Sequence, residues 1–147
     1  YAVRNFYNGT SGTELMGKKL GIHAYGNVGR NVARVAKGFG MEVYAYDAFC
    51  PKEVIEKDGV KALDSAEELY KTCQVVSLHI PATAETKNSI NYALLKDMPK
   101  GAMLVNTARK EVINEAEPVS YTHLTLPTNR EGRPCRLQVY DRYYACC

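Results

Sequence analysis

Residues 18–47 read KKLGIHAYGNVGRNVARVAKGFGMEVYAYD, and this stretch decides the fold. The short apolar run over Lys18–Tyr25 predicts a strand, and the helix-face spacing of apolar residues over Asn27–Phe39 predicts a helix. Gly40 is a natural helix terminator. The β-branched and aromatic residues of Glu42–Tyr46 predict a second strand. A strand, a turn, a helix and a second strand in this order indicate a βαβ unit with parallel strands.

The turn between the first strand and the helix carries a nucleotide-binding motif. Ala24–Gly29 has the pattern G-x-G-x-x-G with alanine in the first position. The second glycine of this motif lets the backbone approach a pyrophosphate, and the third lets the helix pack closely on the strand. The helix N-terminus offers its N–H groups to the phosphates. Because the first glycine serves the tight turn, alanine there predicts a negative φ. The predicted cofactor contacts in this motif are Tyr25, Gly26, Asn27, Val28 and Gly29.

An acidic residue follows the second strand at the distance that the motif requires. Asp47 comes 18 residues after Gly29, where a carboxylate binds the hydroxyls of the adenosine ribose. Its charge would repel a 2′-phosphate, and Ala48 and Phe49 supply no arginine to hold one. The sequence therefore favours NAD over NADP. The alternative is an ordinary strand–turn–helix unit with a surface aspartate.

The alternation of strands and helices continues to residue 117. Because Ser65-Ala66-Glu67-Glu68 matches a capping box, it predicts the start of a helix. Strands that alternate with helices predict a parallel sheet covered on both faces. We therefore expect an α/β fold over residues 18–117, a Rossmann-type doubly wound parallel sheet that is incomplete. The further predicted helices are Pro51–Asp58, Ser65–Lys71 and Asn91–Asp97, and the further predicted strands are Val75–Leu78 and Met103–Asn106.

The composition of the 147 residues argues against several other classes of protein. The chain is 46% hydrophobic and 24% charged, which is the usual range for one globular domain. A net charge of +3 is too small to indicate nucleic-acid binding. No apolar run reaches the roughly 18 residues that a membrane span needs. The five cysteines contain no C-x-x-C pair, so neither a metal site nor a disulfide framework is predicted. We expect a cytoplasmic protein without a secretory leader.

The two ends of the chain differ from its centre. Residues 1–17 are typical of a connector that enters the domain. Residues 118–147 contain no lysine but three of the five cysteines. Val119–Thr128, VSYTHLTLPT, resembles the translation of a sequencing adapter. We therefore expect residues 118–147 to be a non-native or disordered tail.

Two later segments complete a resemblance to a known family. Leu78–Thr86, LHIPATAET, resembles the L-H-x-P-x-T-x-x-T segment of the D-isomer-specific 2-hydroxyacid dehydrogenases. Leu104–Arg109, LVNTAR, resembles the V-N-x-x-R segment of the same family. With the glycine motif and Asp47, the matching segments follow one another in the family's order. Within the family, Asn8–Lys18 is most similar to the D-3-phosphoglycerate dehydrogenase branch.

The resemblance implies NAD as cofactor, a small 2-hydroxy or 2-keto acid as substrate, and a homodimer. From the composition, as argued above, we expect no metal, no nucleic-acid partner and no membrane. Arg109 would be the catalytic arginine, since a guanidinium can bind a carboxylate bidentately and polarise a keto oxygen. The further cofactor contacts implied by the resemblance are His79, Ile80, Pro81, Thr86, Thr107, Ala108 and Arg109.

The resemblance leaves three points open. Lys110 stands where the family often has glycine; it either adopts a compatible backbone conformation or adds positive charge beside the substrate. The family's catalytic glutamate and histidine follow the arginine, but we name no general base. The alternatives are another member of the family, such as a glyoxylate or hydroxypyruvate reductase or a D-lactate dehydrogenase, and a non-catalytic NAD-sensing module like the corepressors. The acidic residues and histidine after Arg109, none in matching surroundings, are Glu111, Glu115, Glu117, His123 and Glu131.

Overall fold

Strands and helices alternate along the chain, as the sequence predicts. The computed structural model describes residues 14–114, 137–140 and 143–146. The elements are β1 (Lys19–His23), α1 (Asn27–Gly38), β2 (Glu42–Tyr46), α2 (Lys52–Lys57), β3 (Lys61–Ala62), α3 (Ala66–Thr72), β4 (Val75–Leu78), α4 (Tyr92–Leu95), β5 (Met103–Asn106), a 3₁₀ helix (Lys110–Val112), β6 (Leu137–Tyr140) and β7 (Tyr143–Cys146).

The strands form one sheet in the order β3-β2-β1-β4-β5-β7-β6. The neighbours from β3 to β5 pair in parallel. β7 also pairs in parallel with β5, and β6 is antiparallel to β7. The order reverses between β1 and β4, because β2 and β3 lie on one side of β1 and the later strands lie on the other. The predicted Rossmann-type parallel sheet is confirmed.

Helices cover both faces of the sheet. Leu20 and Ile22 of β1 belong to one buried cluster, together with Ala33 and Ala36 of α1. A second buried cluster contains Leu69, Tyr70 and Cys73 at α3, with Val76 and Leu78 of β4. Successive side chains of a strand point to opposite faces, so β1 supplies apolar residues to α1 and a glycine, Gly21, to α3. The sheet is therefore doubly wound.

Four strands end in the same row. The register pairs His23 of β1 with Tyr46 of β2 on one side and with Leu78 of β4 on the other. Leu78 in turn pairs with Asn106 of β5. Because these strands are parallel, the segments that follow the four residues all leave the sheet at one edge. These segments contain the motifs that the sequence analysis identified.

Most element boundaries agree with the sequence, and the differences have local causes. β2, β4 and β5 have the predicted bounds. β3 was not predicted, since its two residues are too few for a strand period. The helix predicted over Asn91–Asp97 is the shorter α4, whose N-cap Asn91 accepts the Leu94 N–H through its side chain. At α3, Ser65 Oγ accepts the Glu68 N–H at 3.2 Å, and Glu68 Oε2 accepts the N–H of Asp64 at 3.2 Å.

Most of the predicted tail lies outside the described residues. Residues 115–136, 141, 142 and 147 are not described, and neither are residues 1–13 of the predicted connector. Within the tail, β6 and β7 extend the sheet beyond β5, although no strand was predicted there. Their aromatic and β-branched residues, LQVY and YYAC, suit a strand. An open sheet edge presents unpaired N–H and C=O groups with which such a segment pairs.

We predict that Gly21→Ala destabilises the fold, since a Cβ there would lie 3.0 Å from both Cys73 Sγ and Leu69 Cγ. The expected loss in the free energy of unfolding is about 1–3 kcal/mol, as for other overpacked cores. Urea denaturation followed by circular dichroism measures it. The control is Gly38→Ala at the exposed end of α1, where a Cβ meets nothing within 4 Å. This variant should gain roughly 0.5–1 kcal/mol. Equal stability of the two variants would contradict the close packing of α3 on β1.

Candidate functional site

The turn after β1 differs from the prediction at its first position. Ala24 has a φ of +77°, in the left-handed region that is unfavourable for a residue with a Cβ. The prediction of a negative φ at this position was wrong. The Ala24 N–H donates to the Tyr46 carbonyl at 2.9 Å, so the end of β2 holds the turn. Tertiary contacts thus impose a conformation that alanine alone disfavours by roughly 1–2 kcal/mol.

Two glycines of the motif are required for different reasons. A Cβ on Gly29 would lie 2.6 Å from the carbonyl oxygen of Ala24 and 3.0 Å from Ile22 Cγ2. Glycine at position 29 therefore allows α1 to pack on β1. Gly26 has ordinary dihedrals, with φ −81° and ψ −164°, and a Cβ there would meet nothing within 4 Å. The fold does not need glycine at position 26, but a ligand that approaches this backbone does.

The N-terminus of α1 is open to an anion. Gly26 is its N-cap and no side chain caps the helix. The first turn contains no acidic residue, and Asn27 and Val28 are exposed. The first N–H groups of a helix lack partners within it and carry a partial positive charge. Together with the open space beside Gly26, they fit a pyrophosphate.

Asp47 connects the end of β2 to the glycine turn. Its Oδ2 accepts the backbone N–H of Tyr25 at 2.6 Å. Its Oδ1 accepts the N–H groups of Phe49 at 2.7 Å and Cys50 at 2.9 Å. A carboxylate oxygen accepts more than one hydrogen bond, so Oδ2 retains capacity for a ribose hydroxyl. Asp47 therefore shapes the turn and still presents an acceptor beside it.

The side chain of Tyr25 is part of the packing below the turn. It is only 2% exposed, and its hydroxyl donates to Asp58 Oδ2 at 3.2 Å. Burial, with the Asp58 carboxylate nearby, raises the pKa of Tyr25 to about 12. The predicted contact of Tyr25 with a cofactor is thus restricted to its backbone. The sequence analysis did not single out Asp58, because it lies 33 residues from Tyr25 along the chain.

His79 joins the ends of β4 and β5. Its Nε2 lies 3.0 Å from Ser77 Oγ, and its Nδ1 lies 3.0 Å from Thr107 Oγ1. Its backbone N–H donates to the His23 carbonyl at 3.0 Å. Burial lowers the pKa of the His79 imidazole below its usual range, which favours the neutral ring. The structure thus brings together two residues, His79 and Thr107, that the sequence analysis placed at the cofactor.

Asn106 shapes the turn that presents Arg109. Its side chain is 2% exposed. Its Oδ1 accepts the Ala108 N–H at 2.9 Å, and its Nδ2 donates to the Arg109 carbonyl at 3.3 Å. Arg109 itself is exposed, and its guanidinium forms no ion pair with another described residue. Asn106 was not predicted as a site residue, although LVNTAR places this polar residue at the end of a buried strand.

The loop after His79 is closed by a threonine. Thr86 Oγ1 donates to the Pro81 carbonyl at 2.6 Å and accepts the Thr83 N–H at 2.8 Å. Ile80 is buried at 6% exposure and anchors the start of the loop, whereas Pro81 is exposed. Thr86 therefore supports the loop internally through these two hydrogen bonds.

Comparison with known proteins places this arrangement in a family. The profile of the D-isomer specific 2-hydroxyacid dehydrogenase, NAD binding domain, matches residues 3–120. The chain belongs to this family. D-3-phosphoglycerate dehydrogenase of Methanocaldococcus jannaschii is 41% identical over 104 residues, which are 71% of this chain and 20% of that protein. Glyoxylate reductase of Aeropyrum pernix is 40% identical over 103 residues, which are 70% of this chain and 30% of that protein.

A solved dehydrogenase of this family has the same fold. The NAD⁺-bound 3-phosphoglycerate dehydrogenase of Entamoeba histolytica is 41% identical, with a TM-score of 0.68 over 80% of this chain and 38% of that chain. The predicted resemblance is confirmed. The chain spans between 20% and 38% of the length of these three relatives. It is thus the NAD-binding portion of a 2-hydroxyacid dehydrogenase fold.

The position of the site agrees with NAD binding by this family. Dinucleotides bind at the carboxyl ends of the strands, where the strand order reverses. In this dehydrogenase domain the reversal lies between β1 and β4. The glycine turn and Asp47 lie on the β1–β2 side, and His79, Thr107 and Arg109 follow β4 and β5. The motifs at the ends of these four strands therefore lie on both sides of the point where the strand order reverses.

The described part of the chain contains no cluster of metal-ligating side chains. Within it, no three His, Cys, Asp or Glu side chains group closely enough to hold a metal ion. No helix of residues 14–114 is long and apolar enough to span a membrane. Cys50 and Cys73 are free, and burial raises the pKa of the Cys73 thiol to about 12.

We predict that Gly26→Ala and Gly29→Ala separate binding from folding. Gly26→Ala should keep the free energy of unfolding within about 0.5 kcal/mol, as for a surface substitution. It should weaken NAD⁺ binding at least tenfold, because the methyl group occupies space meant for the pyrophosphate. Gly29→Ala should lose about 1–3 kcal/mol of stability through overpacking. Calorimetric titration and urea denaturation measure the two effects. Unchanged NAD⁺ affinity in a folded Gly26→Ala variant would contradict the assignment.

We also predict a pH dependence that arises from His23. The imidazole lies between the rings of Tyr46 and Tyr70, with Nδ1 3.1 Å from the Tyr70 hydroxyl. Burial lowers the pKa of His23 from 6.5 to about 4, against the opposing effect of the Asp47 and Glu67 carboxylates. The unfolded chain thus binds the proton more tightly than the folded chain. Stability is full above pH 6.5 and falls as the pH drops towards 4.

The measurement compares wild type with His23→Asn, whose amide does not titrate. The stability advantage of wild type should shrink by about 3 kcal/mol between these two pH values. Urea denaturation across this range gives both curves, and their difference removes the contributions of other titrating groups. Parallel curves would contradict the burial of a neutral His23.

Proposed function

We propose that this chain is the nucleotide-binding part of an NAD-dependent enzyme that interconverts a small D-2-hydroxy acid and its 2-keto acid. The observation that carries the proposal is the position of Arg109. Its guanidinium is exposed, free of ion pairs with other described residues, and attached to a turn that Asn106 holds. This turn leaves the sheet at the same row as the glycine turn. A cation fixed there can bind a substrate carboxylate beside the cofactor.

The proposed roles follow from the contacts of each residue. The backbone N–H groups of Asn27 and Val28 bind the pyrophosphate beside Gly26, and Asp47 accepts from the adenosine ribose. Bound NAD⁺ would accept the hydride that leaves the hydroxyl carbon of the substrate, and the hydroxyl proton would pass to a general base that is not assigned to any described residue. Arg109 orients the carboxylate and stabilises negative charge on the substrate oxygen. The residues proposed to line the nicotinamide half are His79, Ile80, Pro81, Thr86, Thr107 and Ala108.

For the substrate we propose 3-phospho-D-glycerate, oxidised to 3-phosphohydroxypyruvate at the entry to serine synthesis. The support is the similarity of Asn8–Lys18 to that branch and the similarity of the chain to D-3-phosphoglycerate dehydrogenase of Methanocaldococcus jannaschii. The Aeropyrum relative carries another name, glyoxylate reductase, so glyoxylate, hydroxypyruvate and D-lactate are the competing substrates. We propose a cytoplasmic homodimer as the form of the complete enzyme.

We predict that Arg109→Lys in the complete protein lowers kcat/KM for its 2-hydroxy acid by about 100- to 1000-fold. A lysine keeps the charge but loses the bidentate fork, and loss of one group that stabilises oxyanion charge has effects of this size. The rate of NADH formation measures the change, with 3-phosphoglycerate and D-lactate as alternative substrates. The matched control is Arg34→Lys on the exposed face of α1, where the guanidinium contacts Asn31. This control should leave kcat/KM unchanged.

The outcomes separate the enzyme from the alternative of a non-catalytic NAD-sensing module. NADH formation with 3-phosphoglycerate alone supports the proposed substrate. NADH formation with D-lactate or another 2-hydroxy acid, but not with 3-phosphoglycerate, supports the dehydrogenase activity and overturns 3-phosphoglycerate as the substrate. If the complete protein binds NAD⁺ and forms no NADH with any of these acids, the enzyme proposal is overturned in favour of the sensing module.

A further inference from the structure

The polar contacts of His79 form a chain across two strands. Ser77 of β4 is 6% exposed and lies on one side of the imidazole, and Thr107 after β5 lies on the other. Both contacts are 3.0 Å long. The Thr107 hydroxyl also lies 3.1 Å from the carbonyl oxygen of Leu78. One ring therefore connects a buried serine of β4 with the first residue of the turn that leads to Arg109.

Hydrogen-bond polarity assigns the proton on this ring. The Leu78 carbonyl can only accept, so the single proton of the Thr107 hydroxyl is donated to it. Thr107 Oγ1 is then an acceptor towards His79, which requires a proton on Nδ1. In a neutral ring Nε2 is unprotonated and accepts from the Ser77 hydroxyl. Burial, which lowers the pKa of His79, agrees with a neutral ring.

We propose that His79 is a positioning residue for the nicotinamide half of the site. As a neutral imidazole protonated at Nδ1, it donates to Thr107 and fixes the first residue of the turn that carries Ala108 and Arg109. The inference rests on the proposed function, since it assigns this turn to the nicotinamide end of NAD. Beyond that assignment, it specifies the tautomer of His79, the donor atom Nδ1 and the acceptor Thr107.

The position of Thr107 explains why one hydrogen bond matters there. Asn106 holds the far side of the turn through Ala108 and Arg109. The Thr107 hydroxyl contacts the Leu78 carbonyl and His79 Nδ1, and these two bonds hold the start of the turn. The pyrophosphate and adenosine contacts depend instead on the glycine turn and Asp47, which lie beyond β1. Loss of the His79 bond should therefore affect one half of the cofactor and leave the other half bound.

The first experiment reads the tautomer directly in the free 147-residue chain. Two-dimensional ¹⁵N NMR of the imidazoles distinguishes a protonated from an unprotonated ring nitrogen. We expect a protonated Nδ1 and an unprotonated Nε2 on His79 at neutral pH. His79→Asn identifies its signals by their disappearance. A proton on Nε2 with a bare Nδ1 would overturn the inference and would leave the proposed function standing.

The second experiment uses two substitutions that each keep half of the ring's contacts. The amide of His79→Asn reaches the Nδ1 position and can still donate to Thr107. The longer amide of His79→Gln reaches the Nε2 position and can contact only Ser77. We expect His79→Gln to bind NADH about tenfold more weakly than His79→Asn does, as for one lost hydrogen bond. Thr107→Val should match His79→Gln, and the double variant should be no weaker than either.

The readout compares NADH with ADP-ribose, which lacks the nicotinamide. A positioning role predicts that His79→Gln loses affinity for NADH and keeps its affinity for ADP-ribose. An equal loss for both ligands would show a merely structural role and overturn the inference. If the unsubstituted chain binds ADP-ribose but gains nothing from the nicotinamide, the inference also fails. If the unsubstituted chain binds neither ligand, the proposed function fails, and the inference fails with it.

Discussion

The parallel pairing of β1 with a strand on each side determines where every functional segment begins. A parallel ladder has evenly spaced hydrogen bonds, and here it aligns His23 with Tyr46 and Leu78, and Leu78 with Asn106. A shift of one residue in any of these strands would move each of its side chains to the opposite face of the sheet, where it would meet the other layer of helices. The hydrophobic burial on both faces thus also sets the positions of the polar turns.

Side chains at this edge satisfy backbone groups that the sheet leaves unpaired. Asp47 accepts three backbone N–H groups, and Asn106 accepts one and donates to a carbonyl. A buried donor or acceptor without a partner is costly by about 1–3 kcal/mol, so the part-buried bonds of Asp47 and Asn106 stabilise the fold. The same contacts pre-organise the site, because the turns are held before a ligand arrives.

The sequence was sufficient for the features that depend on periodicity and spacing. An unbroken apolar run predicts a buried strand such as β4, and apolar residues at helical spacing predict the buried face of α1. The spacing of the glycine motif predicts the turn between β1 and α1. It was not sufficient for Ala24, because the positive φ there is imposed by Tyr46, 22 residues further along the chain. Asn106 and the Tyr25–Asp58 bond were missed for a related reason. Each needs a partner or a degree of burial that only the folded chain defines.

The contrast between Gly26 and Gly29 has a consequence for how the gene tolerates change. Chaperones and proteases recognise unfolded chains, and they act on variants that lose stability. Any substitution at position 29 creates a clash inside the fold, so cellular quality control would remove the product. A small side chain at position 26 meets only open space, so the variant would stay folded and would not be degraded. Such an allele would accumulate as folded protein, and abundance measurements would not distinguish it from wild type.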